Sequence, residues 1–487
     1  MPEPSPVRTS ATAQSASAQG DTVPSPAATP ATTASAPAPA PVRIAVLGAG
    51  GRGAANYGRW FADHPDRARL VAVAEPIGHR RDALADRAEV PAEFRYPSWH
   101  DLMADADRLH LDAVVVALPD HDHVEPTVAA AERGLAVLLE KPIAPALEPL
   151  LDLEHRLSGL KPRIAVAHVL RETAFWRETQ QLISAGQIGD PVTIRIEENI
   201  GFWHFAHSYV RGNWRRTDTS SPMVLAKTCH DLDLIRWITG RAPERVSSMG
   251  GLQHFHPGNA PEGAPTHCAH GCPVADTCPF HAPRYYADAL AHTDDWPVAL
   301  LGPDTTPEGR MKALETGPYG RCVYRCDNDA ADHQQTVFAF PGGLTATLTT
   351  SAFTGANTRT FQITGTRGEL SGRMETGALR LERFAPGPYP VPPHLAGHVR
   401  VSSEGPMGHE VHEWTAGAGG DTDIDHRGHA GGDDALTERF VEAVASGDFE
   451  AHVATTLDAS MDSHWMAFAA ERSRLTGKTV EWEDFRR

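Results

Sequence analysis

The sequence VRIAVLGAGGRG, residues 42–53, joins a nearly continuous apolar run to a glycine-rich loop. Gly48, Gly50 and Gly53 fit the pattern G-x-G-x-x-G, with Gly51 and Arg52 inside the same loop. The first glycine of this pattern permits a tight turn, the second lets the backbone approach a pyrophosphate, and the third packs a helix on the strand. The N-terminus of that helix then faces the anion. The segment therefore predicts a dinucleotide-binding turn.

Apolar runs and helical segments alternate from this loop to about residue 165. The runs are VRIAVLG, ARLVAVAEP, LDAVVVALP, LAVLLEKP and RIAVAHVLR, and helices are predicted between them around residues 56–62, 80–87 and 124–133. Near-continuous apolar strands separated by helices indicate a parallel sheet covered on both faces. We therefore predict an α/β fold whose residues 42–165 form a Rossmann-type, doubly wound parallel sheet that binds a dinucleotide.

The pattern changes after a helix predicted at residues 175–185. GDPVTIRIEENIGFW, QTVFAFPGGLTATLTTSAF and RTFQITGTRGELSG alternate apolar and polar residues, which predicts a largely antiparallel, open-faced sheet. Further helices are predicted at 223–238, 434–445 and 457–474, and long excursions at 251–330 and 371–430. We predict that residues 166–487 form an α+β domain that binds substrate and supports a homo-oligomer.

The N-terminus and the overall charge limit the classes of function. Residues 1–41 contain no Leu, Ile or aromatic residue, which predicts a disordered tail. A formal charge of -18 disfavours binding to nucleic acid or to an anionic membrane. Because no apolar run reaches the roughly 18 residues of a membrane span and no secretion signal is present, we expect a cytoplasmic protein.

Two acidic residues follow apolar strands where a cofactor is expected. Glu75 can accept hydrogen bonds from an adenosine ribose and would repel a 2′-phosphate, so NAD is favoured over NADP. Arg80 and Arg81 either offset this repulsion or are solvated helix residues. In VLLEKPI, residues 137–143, Glu140 and Lys141 stand where a parallel strand ends, which is the edge where such sheets bind ligands. The alternative is a surface ion pair.

A histidine lies among charged residues in AKTCHDLDLIRW, residues 226–237. On a helix, positions 227, 230, 231 and 234 share one face, so Lys227 and Asp231 would flank His230. This arrangement favours an acid/base role for His230, although helical histidines are often structural.

The glycine-rich loop, followed by ALPDHDHVEPTVAAAERGLAVLLEKPIA, VAHVLR and KTCHDLDLIRWITG, resembles the Gfo/Idh/MocA family of NAD(P)-dependent oxidoreductases. That family acts on sugars, cyclitols and their derivatives. The resemblance implies that Lys141 contacts both the nicotinamide region and the substrate, and that His230 is the acid/base. It also equates His123 with the histidine of a P-x-x-x-H segment beginning at Pro119. The cofactor residues predicted in all are Gly48, Gly50, Gly51, Arg52, Gly53, Glu75, Pro119, His123, Glu140 and Lys141.

The chain departs from the family pattern at one position. Many members carry an aspartate four residues before the histidine, where this chain has Ala226. Lys227, Asp231 or Asp233 is expected to take over its helper role.

Substrate contacts are expected from ENIGFWHFAHSYVRGNWRR, residues 198–216. Aromatic faces combined with polar groups suit a sugar, which offers apolar C–H patches and hydroxyls. The alternative is a loop at a domain interface. The predicted substrate-binding residues are His168, Trp203, His204, His207, Tyr209, Arg211 and His429. Asp433 either helps His429 to close the pocket or caps a helix.

Five cysteines form a separate cluster in the sequence. Cys268, Cys272 and Cys278, with Cys322 and Cys326, provide enough thiolates for a structural zinc site if their loops meet. Free or buried thiols, or an iron–sulfur cluster, are the alternatives.

The sequence thus predicts an NAD-dependent dehydrogenase for a small, sugar-like substrate. A glycosidase that uses NAD for transient oxidation and elimination is the first alternative, and a non-catalytic cofactor-binding protein is the second.

Overall fold

A computed structural model describes residues 40–384, 391–395, 399–402, 407–416 and 429–487 of the chain. The disordered tail predicted for residues 1–41 lies outside these ranges except for its last two residues. Among the residues that the structure describes, none of the helices combines the length and the apolar character needed to cross a bilayer.

The first sheet has six parallel strands in the order β3-β2-β1-β4-β5-β6. They are β1 Val42–Leu47, β2 Ala68–Ala74, β3 Arg95–Tyr96, β4 Ala113–Val116, β5 Ala136–Leu139 and β6 Ile164–Val166. The order reverses between β1 and β4, which leaves a crevice at the carboxyl ends of the strands. This topology confirms the predicted doubly wound sheet.

Helices cover this sheet because its strands are apolar on both faces. A wide-turned helix, Gly51–Gly58, begins inside the glycine loop and continues into the first α-helix. The α-helices of this half are α1 Arg59–Asp63, α2 Gly78–Arg87, α3 Trp99–Ala104, α4 Ala106–Leu109, α5 Val124–Glu132 and α6 Leu147–Leu157. The helix that follows the loop therefore starts earlier than the residue 56 predicted from sequence.

The second sheet has ten strands in the described residues, in the order β14-β15-β13-β12-β11-β7-β10-β9-β8-β16. They are β7 Pro191–Gly201, β8 Arg245–Gly251, β9 His333–Ala339, β10 Thr345–Thr354, β11 Thr358–Gly365, β12 Gly368–Arg373, β13 Ala378–Arg383, β14 Val399–Ser402, β15 His409–Thr415 and β16 Val480–Glu481. Neighbours pair antiparallel except β7 and β10, which are parallel. The predicted, largely antiparallel sheet is confirmed.

Two details of the second half differ from the sequence predictions. Residues 371–430 were expected to leave the sheet, but β13, β14 and β15 extend it. The residues of ALRLER alternate in burial along β13, and Val411 and His412 are buried in β15. The single helix expected at 223–238 is two helices, α9 Met223–Ala226 and α10 Cys229–Thr239. The chain bends at Lys227 and Thr228, between them.

Several of the remaining helices contact the two sheets or one another. Helix α14 packs against both α10 and β8, and α12 packs on the helix of the glycine loop. Besides α9 and α10, the α-helices of the second half are α7 Ala174–Ser184, α8 Phe202–Phe205, α11 Pro307–Thr316, α12 Gly432–Ser446, α13 Phe449–His452, α14 Leu457–Thr476 and α15 Trp482–Arg486.

Candidate active site

The glycine loop is shaped by two positions that tolerate only hydrogen. Gly48 has φ +95°, and a Cβ there would lie 2.5 Å from the backbone oxygen of Ala117. A Cβ on Gly53 would lie 1.8 Å from the oxygen of Gly48, so the helix packs directly on the turn. A Cβ on Gly50 or Gly51 would meet nothing within 4 Å. The loop is therefore tight where it turns and open where a pyrophosphate would lie, which fits a dinucleotide.

Glu75 is fixed beside this loop at the end of β2. Its Oε2 accepts a hydrogen bond of 2.9 Å from the Ala49 amide, and its Oε1 accepts one of 3.0 Å from the Ile77 amide. The residue is only 6% exposed. Arg81 pairs with Asp82 at 3.2 Å. The Glu75 carboxylate thus stands in the position expected for a ribose acceptor.

Glu140 pairs with the glycine loop and not with the ammonium of its neighbour in sequence. Arg52 Nε donates to Glu140 Oε1 at 2.5 Å, and the Tyr57 hydroxyl donates to the same oxygen at 2.6 Å. Burial raises the pKa of Glu140, but Arg52, Tyr57 and Lys141 outweigh it and lower the pKa below the usual value. The carboxylate is therefore ionised and holds Arg52 across the base of the loop.

Asp433 connects the glycine loop to His429. Its carboxylate accepts from Arg52 Nη2 at 2.6 Å and from Asn56 Nδ2 at 3.1 Å, and lies 3.1 Å from His429 Nδ1. Gly431, not Asp433, precedes α12, and Asp433 lies inside the first turn of the helix. The helix-cap alternative for Asp433 is therefore wrong, and the residue holds His429 toward the crevice.

The Lys141 side chain reaches from the first sheet to the second half of the chain. Its Nζ donates a hydrogen bond of 2.8 Å to the backbone oxygen of Ala226, at the end of α9. Ala226 is the position where the sequence departs from the family pattern. A backbone carbonyl here holds the ammonium where many members of the resembling family carry a carboxylate. The bond between Lys141 and Pro142 is cis.

His230 stands near this ammonium, on the first turn of α10. It is 4% exposed, and within the part of the chain that the structure describes neither of its ring nitrogens has a hydrogen-bond partner. Burial, reinforced by the charge of Lys141, holds the pKa of His230 well below its usual value. The rings of His429 and His168 lie 5.4 and 5.8 Å from it, centre to centre. The site therefore holds a neutral imidazole whose ring nitrogens are not engaged by any described residue.

Lys227 and Asp231 belong to one network of ion pairs beneath the site, which also contains Glu198 and Arg359. Lys227 Nζ lies 3.0 Å from Glu198 Oε1, and the other oxygen of Glu198 lies 2.6 Å from Arg359. Arg359 also binds both oxygens of Asp231, at 2.6 and 3.1 Å. The carboxylate of Asp231 is thus occupied by Arg359, and Lys227 is held in place by Glu198.

Glu198 and Arg359 were not among the residues predicted from sequence, although a signal for them exists. Glu198 shares the buried face of β7 with Ile194, Ile196 and Ile200, and Arg359 shares that of β11 with Phe361. A charged residue on the apolar face of an alternating strand must have a buried partner. Their partnership could not be read from spacing, because the two strands are far apart in the chain.

Asp233 lies on α10, and its carboxylate faces Arg171 and His168 instead of Arg359. Arg171 binds Asp233 with two hydrogen bonds of 2.7 and 2.5 Å, and His168 Nε2 lies 3.8 Å from the same carboxylate. Asp233 is therefore engaged in a buried pair. His168 contacts the ring of His230 edge-on, which places it at the wall of the site.

His123 ties together two strand ends of the first sheet. Its Nδ1 lies 2.6 Å from the Pro142 oxygen and its Nε2 lies 2.9 Å from the Leu118 oxygen. Pro119 follows Leu118 directly and begins the turn that leads to His123. These contacts position the segment after Lys141.

The residues of the aromatic stretch after β7 divide into two groups. Trp203 and His204 lie on α8, and His204 Nδ1 is 3.0 Å from Asn357 Oδ1. His207 Nδ1 lies 2.6 Å from the Tyr286 hydroxyl, and its ring stacks on Tyr319 with centres 4.7 Å apart. His207 is therefore buried against the segment 251–330.

Tyr209 and Arg211 belong to this second group. Arg211 donates to the backbone oxygens of Arg321 and Phe280, each at 2.7 Å, and Tyr209 packs on Phe205 with ring centres 5.1 Å apart. Both residues are buried. The structure thus places His204 on the helix that follows β7, while His207 and Arg211 contact the segment 251–330 and Tyr209 packs on Phe205.

The predicted zinc site is not supported. Cys268, Cys272, Cys278 and Cys322 line one small cavity, but among the described residues no group of three or more His, Cys, Asp or Glu is arranged to hold a metal ion. Burial raises the pKa of Cys278 and Cys322, and it raises that of Cys326 to about 11. All five cysteines are free of disulfides, which agrees with the free or buried thiols that the sequence left open as an alternative.

Buried neutral histidines should make the fold sensitive to acid. Burial holds the pKa of His168 and His230 well below the usual 6.5 and lowers that of His464 to about 3. The unfolded chain, whose histidines titrate normally, therefore binds more protons than the folded chain below pH 6.5. Each of these histidines should remove up to about 1.4 kcal/mol of unfolding free energy per pH unit in that range.

Thermal unfolding measured between about pH 7.5 and pH 4.5 tests this expectation. Nε2 of His464 accepts a 2.8 Å hydrogen bond from the Ile143 amide, which protonation would break, so His464→Gln should flatten the pH dependence. His121→Gln, at a side chain that is 58% exposed, is the control and should follow the wild type. A melting temperature that stays constant across this range would contradict the assignment.

Comparison with known families gives two adjoining matches. Residues 42–168 match a family model described as the Gfo/Idh/MocA oxidoreductase family, NAD-binding Rossmann fold. Residues 176–282 match the model of the Gfo/Idh/MocA C-terminal domain. The second match covers β7, α10 and the first cysteines, so Lys141 and His230 lie within matched sequence, whereas Arg359, His429 and Asp433 lie outside it.

Several curated proteins are similar to parts of the chain. Inositol 2-dehydrogenase of Corynebacterium glutamicum (strain R) is 30% identical over 199 residues, which are 40% of this chain and 53% of that protein. Putative oxidoreductase YteT of Bacillus subtilis is 25% identical over 58% of this chain and 64% of its own length. The 2,7-anhydro-N-acetylneuraminate hydratase of Escherichia coli is 26% identical over 44% and 54%. The match thus spans between about half and two thirds of the length of these relatives.

Solved structures show the same fold over most of the chain. Levoglucosan dehydrogenase, in complex with NADH and levoglucosan, aligns with a TM-score of 0.63 at 17% identity and covers 90% of this chain and 99% of that one. An inositol dehydrogenase homologue from Azotobacter vinelandii, with NAD+, aligns with a TM-score of 0.62 at 18% identity and covers 91% and 97%. At these identities the likeness concerns the fold.

Proposed function

Because this chain belongs to the Gfo/Idh/MocA oxidoreductase family, we propose that it is an NAD-dependent oxidoreductase. It transfers a hydride between the nicotinamide cofactor and a hydroxyl-bearing carbon of a sugar, a cyclitol or a related compound. The observation that carries this proposal is the hydrogen bond from Lys141 to Ala226, because it brings the ammonium beside the buried, neutral His230. The glycine loop lies in the same crevice as Lys141 and His230 and would bind the dinucleotide.

Each residue of the crevice has a role in this reaction. Gly50 and Gly51 would hold the pyrophosphate of NAD and Glu75 its ribose, and the bound cofactor would supply the acceptor or donor of the hydride. The Lys141 ammonium stabilises negative charge on the substrate oxygen as the carbon is oxidised. A ring nitrogen of His230 takes the hydroxyl proton, because the neutral imidazole has no competing partner in the described residues.

The network of ion pairs beneath the site supports the positions of Lys141 and His230. Glu198 and Arg359 fix Lys227 and Asp231 on either side of the turn that precedes α10. Lys227 is 20% exposed, so its ammonium is available to a substrate hydroxyl. We propose that Lys227 orients the substrate, and that Asp231 and Asp233 fix the helix that carries His230.

One specific observation favours a second candidate function. The similar proteins include 2,7-anhydro-N-acetylneuraminate hydratases, whose name describes a reaction without net oxidation. A redox-neutral reaction, either a hydration or the cleavage of a glycoside, would use the same Lys141 and His230. Net formation of NADH with a free sugar supports the dehydrogenase, whereas conversion without net NADH supports the redox-neutral enzyme.

The proposal is tested by incubating the purified full-length chain with NAD and a panel of sugars and cyclitols, while the absorbance of reduced cofactor is followed. The panel includes myo-inositol, glucose, galactose and levoglucosan. Accumulation of NADH in proportion to oxidised sugar is the expected result. The proposal also includes a cytoplasmic location and a homo-oligomer, and light scattering after size-exclusion chromatography tests the second.

NAD is expected to bind more tightly than NADP because of Glu75. Its carboxylate is held by two backbone amides and cannot turn away from a 2′-phosphate, which it would repel. Calorimetric titration should show tighter binding of NAD, and Glu75→Ser should narrow the difference. Glu93→Ser, at an exposed residue near β3, is the control. A wild-type preference for NADP would contradict this assignment.

A further inference from the structure

We propose that the segment carrying Tyr285 and Trp296 forms a second sugar subsite beside the reaction centre, so that the preferred substrate is a disaccharide. This inference rests on the proposed function, because it takes the oxidised ring to lie at Lys141 and His230. The subsite would bind the neighbouring pyranose ring, which is not oxidised.

Three aromatic rings form the wall of this subsite. Trp203 follows β7, while Tyr285 and Trp296 come from the segment 251–330, and their ring centres lie 5.9 and 6.2 Å from that of Trp203. A Cβ on Gly201 would lie 2.9 Å from Trp203 Nε1, so this indole packs directly on the backbone. We call Trp203, Tyr285 and Trp296 the aromatic wall.

His204 joins the aromatic wall to the reaction centre. Its ring centre lies 5.3 Å from that of Trp296. His204 follows the end of β7, the strand whose Glu198 lies 3.0 Å from Lys227 Nζ. Its Nδ1 lies 3.0 Å from Asn357 Oδ1, two residues before Arg359. Burial is the main cause that lowers the pKa of His204 to about 3, and the charges of Lys227 and Lys141 add to it. His204 thus joins Trp296 to the end of β7 beside Lys227, and the subsite would lie on this side of the reaction centre.

Two features of the aromatic wall fit a carbohydrate ring. Trp296 is 49% exposed, although it lies against two histidine rings, which leaves indole surface for a ligand. The Tyr285 hydroxyl is buried and has no hydrogen-bond partner among the described residues. A pyranose ring offers C–H groups to an aromatic face and hydroxyls to unpartnered polar atoms. The wall thus matches one further sugar residue, next to the one at His230.

Matched mono- and disaccharides test the subsite. Full-length, NAD-saturated protein is assayed for NADH formation with glucose, cellobiose and maltose, and with galactose and lactose, and binding of each is measured by calorimetry. We expect a disaccharide to exceed its monosaccharide roughly tenfold in kcat/KM, as a well-packed aromatic contact provides. Trp296→Ala should remove this advantage and leave the monosaccharide value unchanged, while Trp296→Phe should keep much of it. Met249→Ala, at an exposed residue of β8, is the control.

The two readouts separate the subsite from the proposed reaction. Disaccharide binding that depends on Trp296, but without net NADH, would support the subsite and contradict the dehydrogenase. Oxidation of a monosaccharide with no disaccharide advantage would support the dehydrogenase and overturn the subsite. Absence of Trp296-dependent binding for every probe, or equal losses for both sugar classes in Trp296→Ala, would also overturn it.

Discussion

Lys141→Ala is expected to lower kcat by roughly 10²- to 10⁴-fold on any sugar that the wild type oxidises. Its ammonium, held 2.8 Å from the Ala226 oxygen, is placed to stabilise charge that develops on the substrate oxygen only during the reaction. Loss of such a group lowers kcat and kcat/KM together. NAD affinity should change far less, because the glycine loop and Glu75 make the main contacts. Steady-state kinetics and calorimetric titration with NAD measure the two quantities.

Two further variants make this result specific. Lys161→Ala removes an exposed lysine at the end of the loop after α6 and should leave turnover unchanged. Lys141→Arg keeps the charge but changes its shape, so it should recover only part of the activity. Turnover of Lys141→Ala within about threefold of wild type would contradict the role given to this lysine.

His230→Ala is expected to cause a loss in the same range, roughly 10²- to 10⁴-fold in kcat. The buried ring lacks a hydrogen-bond partner in the described residues, which is costly unless a ligand uses it. If Lys141 and His230 act on the same oxygen and proton, the double variant should lose much less than the product of the two single losses. His121→Ala, at an exposed histidine, is the matched control.

The pH dependence of turnover provides a second test of His230. Burial and the neighbouring Lys141 hold its pKa well below 6.5, so the imidazole stays neutral and can act as a base at pH values where an exposed histidine is protonated. Sugar oxidation should therefore persist below pH 6.5 and fall only when the pH drops through the lowered pKa. The residual activity of His230→Ala should lack this acid limb. Near wild-type turnover in His230→Ala would make Lys227 the next candidate.

The first half of the fold could be predicted because its signals are local. Continuous apolar strands, the glycine loop and helices between them determine a doubly wound sheet without reference to distant residues. The strands between residues 371 and 416 were missed because the charges of ALRLER hide its alternation and HEVHEWT does not alternate in burial. The break of the helix at Lys227 was also missed, since MVLAKTCH contains no glycine or proline to mark it.

Only those site residues could be predicted whose place in a local sequence motif indicates their chemistry. Lys141, His230 and Glu75 stand at positions where the sequence pattern alone suggests a role. Their partners come from remote segments: Arg52 binds Asp433, 381 residues away, and Arg359 binds Asp231, 128 residues away. Such pairs depend on how the sheet brings strands together, which spacing along the chain does not reveal.

Transfer of deuterium from a sugar to the cofactor is the most direct test of hydride transfer by this protein. The full-length protein is incubated with NAD and perdeuterated glucose, galactose or myo-inositol, and the cofactor is analysed by mass spectrometry. NADH should accumulate with one deuterium for each molecule of sugar oxidised, and Lys141→Ala and His230→Ala should each slow this accumulation by roughly 10²- to 10⁴-fold. Conversion of a sugar without net, deuterated NADH would contradict the dehydrogenase and assign the site to a redox-neutral reaction.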